Sequence, residues 1–109
     1  MSRLLVINAD DLGFAPGVNR GIIEAHDAGT LSSASMMVNT PAFSEAVSLA
    51  HSRRPRLGVG LHLNLVAGRP LTDVPSLSNA RTGEFHSLTE LTRRALTGRV
   101  RADDVRREC

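Results

Sequence analysis

The 109-residue chain is long enough for one small domain, and 41% apolar residues make it globular in character. No apolar run approaches the ~20 residues of a membrane span, and Arg3 leads into a strand without a signal-peptide pattern, so the expected location is the cytoplasm. All thirteen basic residues are arginine, the net charge is only +2, and three Phe with no Tyr or Trp offer no stacking platform, which argues against nucleic-acid binding. The single cysteine, Cys109, forms neither an internal disulfide nor a zinc cluster.

The first apolar run, Leu4-Leu5-Val6-Ile7, predicts a short buried strand. It leads into Asn8-Ala9-Asp10-Asp11-Leu12-Gly13-Phe14, which puts two adjacent carboxylates and a glycine at its carboxyl end. Two acids there are costly unless a metal, a proton or a substrate compensates them. Ligands bind at that end of the strands in open α/β sheets and in α/β barrels. Pro16 then opens a helix predicted to run to Ala28, with Val18, Ile22, Ile23 and Ala25 on one face and Gly29 as its cap.

A second strand is expected at Ser33–Val38, followed by a helix with Thr40 as cap and Pro41 in first position, carrying Ala42, Ala46, Val47, Leu49 and Ala50 and stopping before Pro55. Met36 and Met37 read as core. The third strand, Leu57–Leu65, has the clearest alternation. Leu57, Val59, Leu61, Leu63 and Leu65 share a face suited to packing under helices, while Gly58, Gly60, His62 and Asn64 share a face suited to a cleft or a tapered barrel interior. The stretch from Val66 to Phe85 is rich in turn formers and reads as a long loop, functional or mobile. Ser87-Leu88-Thr89-Glu90 is a capping box for a helix ending at Gly98, and Asp103 is placed to cap a last short helix.

The order β-α-β-α-β predicts a parallel sheet. Three strands leave such a sheet unfinished, and an eight-stranded barrel takes ~250 residues. The chain therefore reads as the N-terminal part of a single β/α-barrel domain, truncated before closure. Alone, it is expected to be neither active nor fully stable.

At the strand ends the pattern collects Asp10 and Asp11, then Asn39, then His62 and Asn64. One carboxylate and one imidazole make two-thirds of a catalytic metal site, and the second carboxylate is free to act as general base. Neighbouring side chains on an extended strand point to opposite faces, so the two Asp converge only if the strand breaks, which Gly13 would permit. A phosphorelay receiver needs a later lysine, and none is present. A haloacid-type phosphatase needs Asp-x-Asp, but Leu12 stands two beyond Asp10. A dinucleotide fold needs a glycine-rich turn that is absent here. A glycosidase needs carboxyl groups about 5–9 Å apart, for which Asp73 or Glu84 would have to be recruited. A metal-assisted hydrolase fits the residues best. His26, His51 and His86 read as surface residues.

NADDLGF after an apolar strand, VNRGIIEAH in the first helix, LSSASMMVN as the second strand and VGLHLNLVAGRP as the third together resemble the YdjC-like carbohydrate deacetylases, the ChbG/HpnK family. PAFSEAV and PSL…GEF fit the same pattern. The resemblance implies a deviant β/α barrel and a metal-dependent deacetylase acting on N-acetylated sugars such as chito-oligosaccharides. It implies Asp10 as general base and Asp11 and His62 as ligands of a divalent ion, magnesium or zinc. The family's third ligand, a further histidine, falls beyond this stretch. Asn39 and Asn64 are the candidate substrate contacts. The expected partner is an N-acetylated sugar or oligosaccharide, with a homodimer open to the full-length protein. A hopanoid-associated sugar deacetylase and a non-catalytic sugar-binding remnant are the alternatives.

Overall fold

The computed structural model describes residues 3–53 and 55–109. Three strands, β1 (Asn8–Leu12), β2 (Ser33–Met37) and β3 (Gly58–His62), pair in parallel in the order β1-β2-β3. Between them run α1 (Pro16–Asp27) and α2 (Phe43–His51); α3 (Leu88–Leu96) and α4 (Ala102–Glu108) follow. The chain divides into two compact units, the first ending at His62 and the second spanning Leu63–Cys109. No helix among the described residues is long and apolar enough to cross a membrane.

The first strand forms four residues later than the apolar run predicts. Asn8 is paired with Ser33, where β2 begins, whereas Leu4, Leu5 and Val6 lie largely exposed outside the ladder. An extended segment becomes a strand only where a neighbour satisfies its N–H and C=O groups. Here that neighbour starts at Ser33. The shift places Asp10 and Asp11 inside β1 rather than after it.

Helix α1 follows the sequence closely. Ile22 and Ile23 are buried and join Leu12, Leu31, Ala34, Met36, Ala46, Ala50 and Leu57 in the core of the first unit, with Val18 and Ala25 packed at its margin. The helix ends at Gly29, whose φ of 78° lets Gly29 N–H reach His26 O and Thr30 N–H reach Ala25 O. That paired closure satisfies carbonyls the helix leaves open. Met36 and Met37 are both buried, as expected of core residues.

Two sequence expectations fail at α2 and β3. Thr40 does not cap α2; the helix starts at Phe43 behind Ala42, and the Thr40 hydroxyl donates to Gly13 O at 2.5 Å. The alternating apolar face of β3 is also only partly covered. Leu57 is buried, but Val59, Leu61 and Leu63 are 46%, 58% and 59% exposed. The cause is topological: β3 is an edge strand, and α2 packs over β2. A shallow groove of about 270 Å³ remains there, lined by Met36, Val47, Ala50, His51, Leu57 and Val59.

In the second unit Val66–Phe85 forms no helix or strand, as the loop reading expects, yet it carries a small core of its own. Val74, Leu77 and Phe85 are buried together, with Leu65, Leu91, Val100 and Val105 packed against them. Turn residues hold the backbone of this stretch, while a few well-spaced apolar side chains supply the burial. Ser87 caps α3 as expected, accepting from Glu90 N–H at 3.3 Å. Asp103 does not cap α4; it pairs with Arg106, and Asp104 beside it is the buried acid. His86 is buried rather than at the surface. Desolvation, reinforced by the cation of Arg94, pushes its pKa down.

Candidate active site

Two faces of the sheet alternate along β2. Ala34 and Met36 enter the core, while Ser33 and Ser35 point the other way. In register with them on β3 stand Gly58 and Gly60, and His62 follows opposite Met37. A Cβ added at Gly60, opposite Ser35, would meet nothing within 4 Å. The polar face is therefore open beside the serine.

Strand β1 meets this face through a bulge. Ala9 pairs with Ala34 and Leu12 with Met36, so three steps along β1 match two along β2. Asp11 supplies the irregularity, with φ at 66°, a left-handed conformation costly for a residue other than glycine. The extra residue lets Ala9 and Leu12 both keep to the core while Asp10 and Asp11 both reach the polar face. The sequence placed this break at Gly13; the structure puts it first at Asp11 and continues it through Gly13, whose φ is 98°.

The loop after the bulge is clamped from three sides. A Cβ at Gly13 would lie 2.6 Å from Met37 O, so only glycine fits. Gly13 N–H donates to Asn19 Oδ1 at 2.7 Å, and Thr40 holds Gly13 O. Asn19 is fully buried; its Nδ2 donates to Ala42 O at 3.1 Å and to Glu45 Oε2 at 2.8 Å. Asn19, not read as a site-supporting residue in the sequence, is a polar side chain on the buried face of α1, one turn before Ile22 and Ile23. That position was the available signal.

Three of the expected site residues meet. The Asp11 carboxylate Oδ1 lies 3.4 Å from His62 Nδ1, and Asp11 N–H donates to the same nitrogen at 3.3 Å. Ser35 Oγ lies 3.4 Å from His62 Nδ1 and donates to Asp10 Oδ1 at 2.6 Å. Asn8 Nδ2 donates to the same oxygen of Asp10 at 3.1 Å, and Ser33 Oγ donates to Asn8 Oδ1 at 2.8 Å. The sequence reading missed Asn8, Ser33 and Ser35; the polar–apolar alternation of Ser33-Ala34-Ser35-Met36 would have shown two of them. Asp10 and Asp11 are exposed and His62 is partly so.

The two asparagines take different positions. Asn39 is buried just past the end of β2. Asn64 is buried too, in the second unit, where its Oδ1 accepts from Val66 and Ala67 N–H and its Nδ2 donates to Ala67 O. Among the described residues, no group of three or more His, Cys, Asp and Glu could hold a metal ion.

Residues 4–109 match the family described as YdjC-like protein. The chain is 48% identical to a carbohydrate deacetylase of Geobacillus stearothermophilus, over 100% of its own length and 42% of the relative's. It is 41% identical to a chitooligosaccharide deacetylase of Serratia marcescens, over 99% of the chain and 41% of that protein. A crystal structure from Enterococcus faecalis V583, described as a cellobiose-phosphate cleavage protein, superposes with a TM-score of 0.81 at 34% identity. That match covers 94% of this chain and 39% of the other, consistent with a partial barrel. The chain thus spans about two-fifths of the length of these relatives. With parallel strands joined by helices, an acid pair in a bulge of β1 and a histidine closing β3, the chain belongs to the YdjC-like family.

Proposed function

We propose that these residues form the base and two-ligand part of a metal-dependent hydrolase that removes acetyl groups from N-acetylated sugars. The observation that supports it most is the Asp11–His62 pair, 3.4 Å apart, with Asp10 beside it on the same open face. The donor set fits a divalent ion. A carboxylate beside an imidazole is a donor set that suits zinc or magnesium. Relatives named carbohydrate deacetylase and chitooligosaccharide deacetylase support the substrate class.

In this reading Asp11 and His62 would hold the ion, which supplies Lewis-acid polarisation of the acetyl carbonyl and of a water molecule. Asp10 takes a proton from the attacking water. The water oxygen bonds to the carbonyl carbon, the C–N bond breaks as the nitrogen takes up the proton that Asp10 removed, and acetate and the sugar amine leave. The bulge brings the base and the ligand carboxylate, adjacent in sequence, to the same face. Within the first unit, Asn39, just past β2, is the candidate sugar contact.

Turnover is best measured in a polypeptide that joins residues 1–109 to the remaining part of the Geobacillus relative, with the 109-residue chain assayed beside it. Acetate release from an acetylated chito-oligosaccharide is the readout. His62→Ala should lower bound divalent metal by ~10-fold or more in elemental analysis with the fold retained. Unchanged metal content would remove His62 from the site. Asp11→Asn should also lower metal affinity. If Asp10→Asn released the metal and Asp11→Asn did not, the two roles would be exchanged.

A further inference from the structure

We infer that Ser35 is a positioning residue for the base Asp10, assisted by Asn8, which Ser33 in turn holds. The inference rests on the proposed role of Asp10. Its geometric basis is independent of any metal. Ser35 Oγ and Asn8 Nδ2 donate to the same carboxylate oxygen, Oδ1, at 2.6 and 3.1 Å. Two donors on one oxygen fix the rotation of the carboxylate about its last torsion, which is otherwise broad. Oδ2 is then the oxygen left to receive the proton.

The donors are themselves built into rigid backbone. Ser35 lies mid-strand in β2, paired with Gly60 of β3. Asn8 opens β1 opposite Ser33, whose hydroxyl donates to Asn8 Oδ1 at 2.8 Å and so turns the amide Nδ2 toward Asp10. An exposed carboxylate on a bulge would otherwise sample several rotamers. Proton abstraction needs the acceptor within about 3 Å of the water, and misplacement by about 1 Å costs on the order of 100-fold.

The test uses the joined polypeptide described above. Ser35→Ala should lower kcat ~10- to 100-fold with KM and bound metal little changed, since the hydroxyl's short bond is to Asp10 at 2.6 Å and its approach to His62 Nδ1 is a long 3.4 Å. Ser35→Thr, which keeps a hydroxyl on a residue suited to strands, should restore most of the rate. Ser33→Ala should act in the same direction and less strongly. In an Asp10→Asn background, Ser35→Ala should add nothing, because the group it positions is gone. Unfolding midpoints separate a stability effect from this one. Full activity in Ser35→Ala, or an unrescued loss in Ser35→Thr with equal metal loss, would overturn the inference. If instead Asp10→Asn retained turnover, the assignment of the base itself would fail.

Discussion

Two carboxylate sites in this chain are built in opposite ways. Asp10 and Asp11 stand exposed on a bulge, their contacts made to side chains that leave an oxygen of Asp10 open. Asp104, at 1% exposure, is buried in the second unit, where Ser76 N–H donates to its Oδ2 at 2.9 Å. The Ser76 side chain and backbone together hold the Asp104 carboxyl below its ordinary pKa. Ser76 Oγ also accepts from Arg101 N–H at 3.0 Å, tying the start of α4 to the turn at Ser76. A buried carboxylate held by the backbone serves the fold, and one held by a few side chains at an open edge remains available for chemistry.

The comparison breaks if Asp10 proves structural or Asp104 catalytic. Asp10→Asn should lower turnover of the joined polypeptide by ~10²–10⁴-fold, the usual cost of losing a general base, with its unfolding midpoint unmoved. A midpoint that fell while turnover persisted would reverse the distinction. Gly13→Ala tests the support beneath the bulge. A side chain at φ 98°, with a Cβ 2.6 Å from Met37 O, should destabilise the first unit by about 1–3 kcal/mol or more in denaturant unfolding. Unchanged stability would mean that the loop relaxes freely and that the bulge is not held from below.

Asp104→Asn should have the smallest effect, and its pH dependence sharpens the contrast. A folded pKa below the ordinary 3.8 means that Asp104 contributes stability above that value and loses it as pH falls through the folded pKa. The variant should unfold more readily than the parent at neutral pH, and the gap should close as the pH drops below about 3.8, followed by circular dichroism. Turnover at neutral pH should be unaffected. A gap that stayed constant across this range would remove the carboxylate charge from the stability of α4.

Much of the first unit was legible because its signals are local. Helix α1 announces itself through Pro16, the spacing of Ile22 and Ile23, and Gly29. The β-α-β-α-β order entails parallel pairing. Asp10, Asp11 and His62 stood out because acids at a strand end and a histidine on a glycine-lined face are costly or unusual without a role. The helpers Asn8, Ser33, Ser35 and Asn19 did not, since each is an ordinary polar residue until a second strand or loop arrives beside it. Val66–Phe85 was legible as a loop, but the core inside it was not, because it is assembled from single apolar residues too sparse to show a period.

The sequence by itself determined the order of elements, the ends of α1, the cap of α3, the parallel sheet and the candidate chemical residues, all of which depend on neighbours within a few positions. Tertiary structure alone decided where β1 begins, because a strand needs a partner and Ser33 sets where the partner starts. It decided that Asp11 carries the left-handed break, since only the register of β2 makes one residue of β1 supernumerary. It also decided that Leu61 stays exposed, because an alternating apolar face is buried only where a helix lies over it, and α2 packs over β2 rather than over the edge strand β3.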